Sequence, residues 1–206
     1  MYSVTIPAAM TATTGKRETG TRARILDASE RLVQTRGFNS FSYADVAAEL
    51  GVTKASLHYH FPGKAELGEA LVARYAERFT AELQRLDADG SAPATKLAAY
   101  AALYADVLRQ DRMCLCGMLA AEYETLPPGM REEILRFFDA NQRWLCQVME
   151  SGRADRSMSF DGTADDGART ILGGLEGAML MARPYHDVAR FEAAATRLIA
   201  GVTGSR

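Results

Sequence analysis

Two stretches of this chain concentrate side chains able to do chemistry. Residues 56–64 read SLHYHFPGK, so His58, Tyr59, His60 and Phe61 set four rings in succession ahead of a Pro-Gly pair and Lys64. Two of the chain's 3 histidines lie here; the third, His186, stands alone in RPYHD. The second stretch, DRMCLCGMLAAEYETLPP from Asp111 to Pro128, holds Cys114 and Cys116 as a Cys-x-Cys pair. Imidazoles and thiols at short spacing serve metal ligation, catalysis, or contact with a polar partner.

Metal ligation fits neither stretch. On a helix, His58 and His60 are two apart and point to different faces, so they cannot share an ion. The Cys-x-Cys pair supplies two thiolates where a soft-metal site needs more ligands, and none is near in sequence. Catalysis finds no frame either, because the chain has no Gly-x-Ser-x-Gly, zinc-type cluster or phosphate-binding glycine loop. The expectation is a protein that is not an enzyme and carries no metal or other cofactor. Cys114 and Cys116 keep two readings. Near an expected helix N-terminus a thiol pKa falls, which suits sensing of oxidants or electrophiles; as small buried residues they would be plain core. Cys146, in an apolar run, reads as core. The ring stretch is left with contact: its donors and ring faces suit phosphates, base edges and thymine methyls.

The elements that would position these groups are helical. Hydrophobic residues make up 48% of the chain and aromatics 8%, a balance that favours an Ala- and Leu-rich all-α protein over a sheet protein. From Thr21, residues Ile25, Leu26, Ala28, Leu32 and Val33 recur at helical spacing, and Arg36 and Gly37 are stop signals. Ser42 is placed to cap YADVAAEL, which Gly51 ends; Thr53 is placed to cap KASLHYHF, which Pro62-Gly63 breaks. Two short helices across a tight Gly-Val-Thr turn form a helix-turn-helix pattern, whose second helix can enter a major groove. An ordinary helical hairpin would use the same pattern. Leu57 and Phe61, four apart, are the inward pair, leaving Lys54, Ser56, His58, Tyr59 and His60 for exposed faces. Lys64 opens the next helix, where the macrodipole disfavours a cation; a nearby phosphate would explain it, and a solvated lysine is the alternative.

Charge supports a polyanion partner only locally. The net charge is −2, yet residues 1–63 carry seven Lys/Arg against five acids.

The segment GFNSFSYADVAAELGVTKASLHYHFPGKAEL, Gly37 to Leu67, resembles the N-terminal domain of the TetR/AcrR family of transcriptional regulators. The shared pattern is Gly-aromatic, a Ser/Thr cap, Asp-aliphatic-Ala, Gly-Val-Ser/Thr-Lys, then Leu-ring-ring-His-Phe-x-x-Lys, over residues 20–68. Phe41 departs from it, where small polar residues are common, as does His58, where Tyr is commoner. The resemblance implies that Thr53, Lys54, Ala55, Ser56, His58, Tyr59 and His60 form a recognition helix. It also implies that Ser42 and Tyr43 meet phosphate at the start of the second helix. Tyr59 and Lys64 would anchor phosphates, and Thr21 and Arg22 would touch the backbone from the first helix, with Lys16 and Arg17 near a groove. The partner would be double-stranded operator DNA, and the protein a homodimeric repressor released by a small-molecule ligand, or by thiol chemistry at Cys114 and Cys116.

Domain organisation follows: a disordered arm over 1–18, a helix-turn-helix domain over 19–64, and a helical ligand-binding and dimerisation domain over 65–206. The helix from Lys64 runs on to Leu86, and further helices are expected at 93–110, 115–125, 129–151, 163–183 and 187–202. Plausible pocket liners are Tyr104, Met113, Cys114, Cys116, Met118, Tyr123, Phe138, Trp144 and Met181, since Met and aromatic side chains suit an adaptable apolar pocket; ordinary core serves each equally well. Three glycines in ILGGLEGAMLMA, Gly173, Gly174 and Gly177, cost about 1 kcal/mol each in a helix interior and so need a reason, such as close helix approach. With Phe191, Ala195, Leu198 and Val202 on the last helix, they are the expected dimer interface that the resemblance implies. No apolar run approaches a membrane span and no signal-peptide pattern opens the chain, so a cytoplasmic protein is expected.

Overall fold

The computed structural model describes residues 20–203, and among them every regular element is helical. In chain order these are α1 (Thr21–Arg36), α2 (Tyr43–Leu50), α3 (Lys54–His60), α4 (Lys64–Ala88), α5 (Pro93–Arg109), α6 (Leu115–Ala121), α7 (Pro128–Ala154), α8 (Ala164–Ala182) and α9 (Val188–Thr203). Single 3-10 turns follow α6 at Tyr123–Thr125 and α8 at Arg183–Tyr185. The expected arm, with Lys16 and Arg17, lies outside the described residues.

Local chemistry sets the ends of the head helices. The backbone N–H and hydroxyl of Ser42 both donate to Asp45, at 2.6 and 2.7 Å, closing the start of α2. Those two bonds hold the Asp45 carboxyl below its usual range. Gly51 ends α2 at φ 66, a left-handed conformation that costs glycine little and other residues more. Thr53 then accepts from the Ser56 N–H at 3.2 Å to start α3. Leu57 and Phe61 are buried, as their spacing predicts, and join the core on which α3 packs against α2.

The 25 residues of α4 make a rod of about 37 Å that belongs to both halves of the molecule. Its row Leu67, Leu71, Val72, Tyr75, Phe79, Leu83 and Leu86 is buried. Near the head, Arg74 and Arg78 reach the same Glu30 of α1, at 3.0 and 2.5 Å, so α1 and α4 are fixed to each other by charge as well as by apolar contact. In the body α4 packs on α7, α7 on α8, and α8 on α9, while α5 threads between α7, α8 and α9.

Candidate nucleic-acid interface and interior site

The outer face of α3 is polar and open. Lys54, Ala55, His58 and Tyr59 are exposed, Ser56 and His60 half-buried, and Tyr59 stands out at 85% exposure with its ring edge-on to His60. An aromatic ring that open gains nothing from the fold itself. His58 is held: its ring lies 4.8 Å from that of Tyr43, and Nδ1 is 2.9 Å from the Pro62 carbonyl. A carbonyl only accepts, so Nδ1 carries the proton and, in the neutral ring, Nε2 is an acceptor. Thr21 is half-buried at the start of α1, and the Arg22 guanidinium sits 4.9 Å from the centre of the Phe61 ring.

Two expected phosphate contacts turn inward instead. The Lys64 ammonium donates to the carbonyls of Phe38 and Phe41, at 2.5 Å each, and lies over both their rings. Burial pulls its pKa down, and Glu122 and Asp45 partly restore it. Phe41, the departure from the family pattern, is therefore part of a cage: it meets Phe38 edge-on at 5.8 Å and roofs the lysine. The Tyr43 hydroxyl shares its proton between the carbonyls of Phe61 and Gly63, at 2.9 and 2.6 Å, and burial raises its pKa to about 12. Both side chains fasten the loops around α2 and α3, because loop carbonyls left without donors inside the fold would be costly.

The same loop is gripped from the body. Glu122, just past α6, accepts the Phe38 N–H at 2.6 Å and the Asn39 N–H at 3.3 Å, and Asn39 donates to Thr125 at 2.7 Å. Gly37 makes this approach possible: it sits at φ 88, and a Cβ there would lie 2.7 Å from the Glu122 carboxylate. The Arg183 guanidinium donates to the Thr35 carbonyl and the Met113 N–H to that of Gln34, at 3.1 Å for the latter. We expect Glu122→Ala to lower stability by about 1–3 kcal/mol, the cost of amides left without an acceptor. Urea unfolding measures it; a change within error would mean water replaces the carboxylate at no cost.

Inside the body, α4, α5, α6, α7 and α8 converge on a polar cluster walled by rings. Tyr100 donates to Asn141 at 2.9 Å, whose own amide donates to the Phe137 carbonyl at 2.8 Å. With the Tyr100 proton so used, the 3.0 Å contact between the Tyr100 and Tyr104 hydroxyls takes the proton of Tyr104. Tyr75 donates to the Cys114 sulfur at 3.7 Å. Phe79 meets Tyr100, Tyr104 and Phe137 edge-on, and Trp144 stacks on Tyr100 while donating to Asp87 at 2.9 Å. At the centre is Glu176 of α8. Part of the residue reaches the surface, but both carboxylate oxygens are sealed, and neither makes a hydrogen bond of ordinary geometry even though the Cys114 thiol and Tyr104 hydroxyl lie near enough to act on them. Gly117 of α6 lies against them so closely that a Cβ there would collide with Oε2. Burial pushes the Glu176 pKa up to about 7, eased by the nearby Cys114 and Tyr104.

That shift has a measurable sign. A carboxyl held at about 7 when folded and 4.5 when unfolded contributes stability below 4.5 that is lost as pH rises through 7. The Glu176→Gln variant escapes the loss. Relative to wild type at pH 5 it should gain up to about 3 kcal/mol by pH 8.5. Urea melts of both proteins at the two pH values give the difference; a gap that does not change with pH would mean the carboxylate is hydrated.

Of the expected pocket liners, Tyr104, Cys114, Cys116 and Trp144 gather in this cluster. Met113 is buried at its edge, Met118 lies by Arg183, and Phe138 packs on Phe137. Tyr123 packs under Arg131 outside it, and Met181 is 62% exposed, on the far face of α8. The expected lowering of the thiol pKa is reversed: burial first, then the Glu176 charge, pushes Cys114 and Cys116 well above the ordinary range, and both are free thiols. A helix of seven residues contributes less field than a dry surrounding removes. Cys146 is half-buried rather than core. Glu176, Glu122, Tyr75, Tyr100 and Asn141 were not anticipated; Glu176, the one acid in ILGGLEGAMLMA, carried the clearest signal. His186 pairs with Asp111 at 2.9 Å on the surface, and among the described residues no group of three His, Cys, Asp or Glu could hold a metal. Nor is any helix among them long and apolar enough to cross a membrane.

The expected dimer residues separate into two sets. Phe191 and Ala195 are buried inside the protomer, Leu198 packs on Gly174, where a Cβ would sit 2.7 Å from Cδ1, and half-buried Val202 packs against the same core. These four side chains and Gly174 thus hold α9 against its own protomer. Gly173 and Gly177 face open space, in line with exposed Leu180 and Met181.

Comparison with known families decides what this architecture is. The profile described as "Bacterial regulatory proteins, tetR family" matches residues 25–71, and "Tetracyclin repressor-like, C-terminal domain" matches residues 93–198, half of the chain. The chain belongs to the TetR family. It is a DNA-binding transcriptional regulator and not an enzyme. A TetR-family regulator from Agrobacterium tumefaciens is 32% identical, with a TM-score of 0.85 over 89% of this chain and 97% of that one. The transcriptional regulator AcuR of Cereibacter sphaeroides is 28% identical over 75% of each chain. The transcriptional repressor NemR of Escherichia coli K12 is 27% identical over 81% of this chain and 85% of its own. The N-terminal match spans α2 and α3 and thus the open polar face; the C-terminal match spans α6, Glu176 and the outward face of α8.

Proposed function

We propose that the protein is a homodimeric, cytoplasmic repressor that leaves its operator when a small molecule occupies the interior site. The observation that carries the DNA part is the outer face of α3, where Tyr59, at 85% exposure, stands beside Lys54, Ala55 and His58. Tyr59 anchors a phosphate, Lys54 supplies charge, and Thr53, Ala55, Ser56, His58 and His60 meet or flank base edges, with Ser42, Thr21 and Arg22 along the backbone. Lys64 and Tyr43 serve DNA indirectly, by fixing the loops that aim α3. The test is binding of purified protein to labelled DNA upstream of its own gene, across a salt titration. Saturable binding to one palindromic segment supports the reading; salt-sensitive binding without preference defeats the operator part.

Dimerisation is supported by two stripes of small or apolar residues left facing outward. On α8 these are Gly173, Gly177, Leu180 and Met181; on α9 they are Ala189, Ala193, Thr196 and Ala200. Small residues let partner helices approach closely, and two heads ~34–36 Å apart meet successive major grooves. Gly177→Glu should not harm the protomer, since its Cβ meets nothing and helix propensity improves by about 0.5–1 kcal/mol. It should split the dimer. Light scattering at micromolar concentration reads the mass, and an unchanged dimer would move the interface elsewhere.

Release is supported by the grip on the α1–α2 loop. An effector that displaces α6 draws Glu122 from the Phe38 and Asn39 amides and shifts the base of the head. Only a ligand that binds the displaced state better can drive that change.

A further inference from the structure

We infer that the interior site around Glu176 takes a small organic cation, an alkyl- or benzylammonium, with the carboxylate as its counter-ion and the surrounding rings as its walls. This rests on the reading of the body as an effector domain. Both oxygens of Glu176 are sealed from solvent and make no hydrogen bond of ordinary geometry; only the neutral Cys114 thiol and Tyr104 hydroxyl ease their charge, and a buried carboxylate without a cation is a costly feature to retain. The titratable groups that face it are Tyr100 and Tyr104 of α5, Tyr75 of α4, and Cys114 and Cys116 at α6. None is cationic. Glu30 acts on Cys116 from α1, but its charge is already met by Arg74 and Arg78.

The chemistry of the walls discriminates among ligands. An anion entering the site would meet an uncompensated negative charge. A neutral molecule would leave that charge as it found it. A cation neutralises it, and the rings of Tyr75, Tyr100 and Tyr104, close enough for the Glu176 charge to act on their hydroxyls, add attraction where a ligand meets their faces. At Gly117, α6 rests on Glu176 through bare backbone, so room for a ligand opens there when α6 shifts and draws its buried Leu115, Cys116 and Leu119 with it. The same displacement carries Glu122 off the head.

The experiment uses the full chain and its single tryptophan, Trp144, which stacks on Tyr100 and reports on the site. Tetramethylammonium, benzyltrimethylammonium and phenethylammonium are titrated in, with phenylacetate and benzyl alcohol as anionic and neutral controls, and binding is read by calorimetry and Trp144 emission. At least one cation binds in preference to both controls, and Glu176→Gln weakens it tenfold or more. Affinity rises about tenfold per pH unit up to pH ~7 and then levels, because the carboxyl must shed its proton to pair. The inference is overturned if no cation binds at millimolar concentration, if the controls bind as well, or if the Gln variant binds cations unimpaired. Operator retention is measured alongside. Cation binding without release from DNA supports the site and defeats its effector role; release by a control compound without cation binding does the reverse.

Discussion

Replacing Lys64 with Met is expected to lower stability by about 3 kcal/mol, and DNA binding should fall in step with the loss of folded protein. The estimate follows from what the ammonium does. It donates to two carbonyls and lies over two rings, with its stem inside the loop before α2. A charge-assisted bond contributes roughly 1.5–3 kcal/mol and a cation–π contact about 0.5–2. Partial exposure and the desolvation of the ammonium offset much of that sum, leaving about 2–4 kcal/mol. Met keeps the stem but leaves the carbonyls of Phe38 and Phe41 without their donor. A domain holds only about 5–15 kcal/mol in all, so the head of the variant should open at far lower urea. Urea unfolding beside a DNA titration decides the matter. A variant as stable as wild type that binds DNA weakly, with a shallower salt dependence, would return Lys64 to the phosphate-anchor role expected from the family pattern.

Tyr59→Ala should have the opposite signature: no change in stability and a large loss of DNA affinity. The ring is 85% exposed and packs only on the edge of His60, so its removal leaves no cavity. In a dimer each substitution is made twice. A loss of about 1–1.5 kcal/mol per half-site becomes about 2–3 kcal/mol, or roughly 30–100-fold in Kd. A phenol carries no charge, so the salt dependence should keep its slope. Lys54→Ala, by contrast, removes two charges per dimer and should flatten the slope by about 2. Fluorescence anisotropy against salt for wild type and both variants separates the cases. Wild-type affinity in Tyr59→Ala, at every salt concentration, would take α3 out of the interface.

The helices, their order and the helix-turn-helix were legible in the chain because their determinants are local. Apolar residues three and four apart, a cap such as Ser42 or Thr53, and a stop such as Gly37 or Gly51 act within one or two turns, so sequence order contains them. The exposed face of α3 was legible for the same reason: once Leu57 and Phe61 are inward, Tyr59 must be out. What the tertiary structure alone decided is where a side chain finds its partner across the fold. Lys64 looked free because the carbonyls it serves lie 23 and 26 residues earlier. Cys114 and Cys116 looked activated by a helix terminus, but desolvation by the helices packed around α6 outweighs a short helix's field. Phe191 and Ala195 had the right spacing for a dimer stripe, yet spacing only says that one face is apolar, not whether its cover is α5 and α8 of the same chain or a second copy. Glu176 stood in plain view between glycines. Only the packing of α6 against it makes it a sealed carboxylate, because burial is a property of neighbours that the sequence does not place side by side.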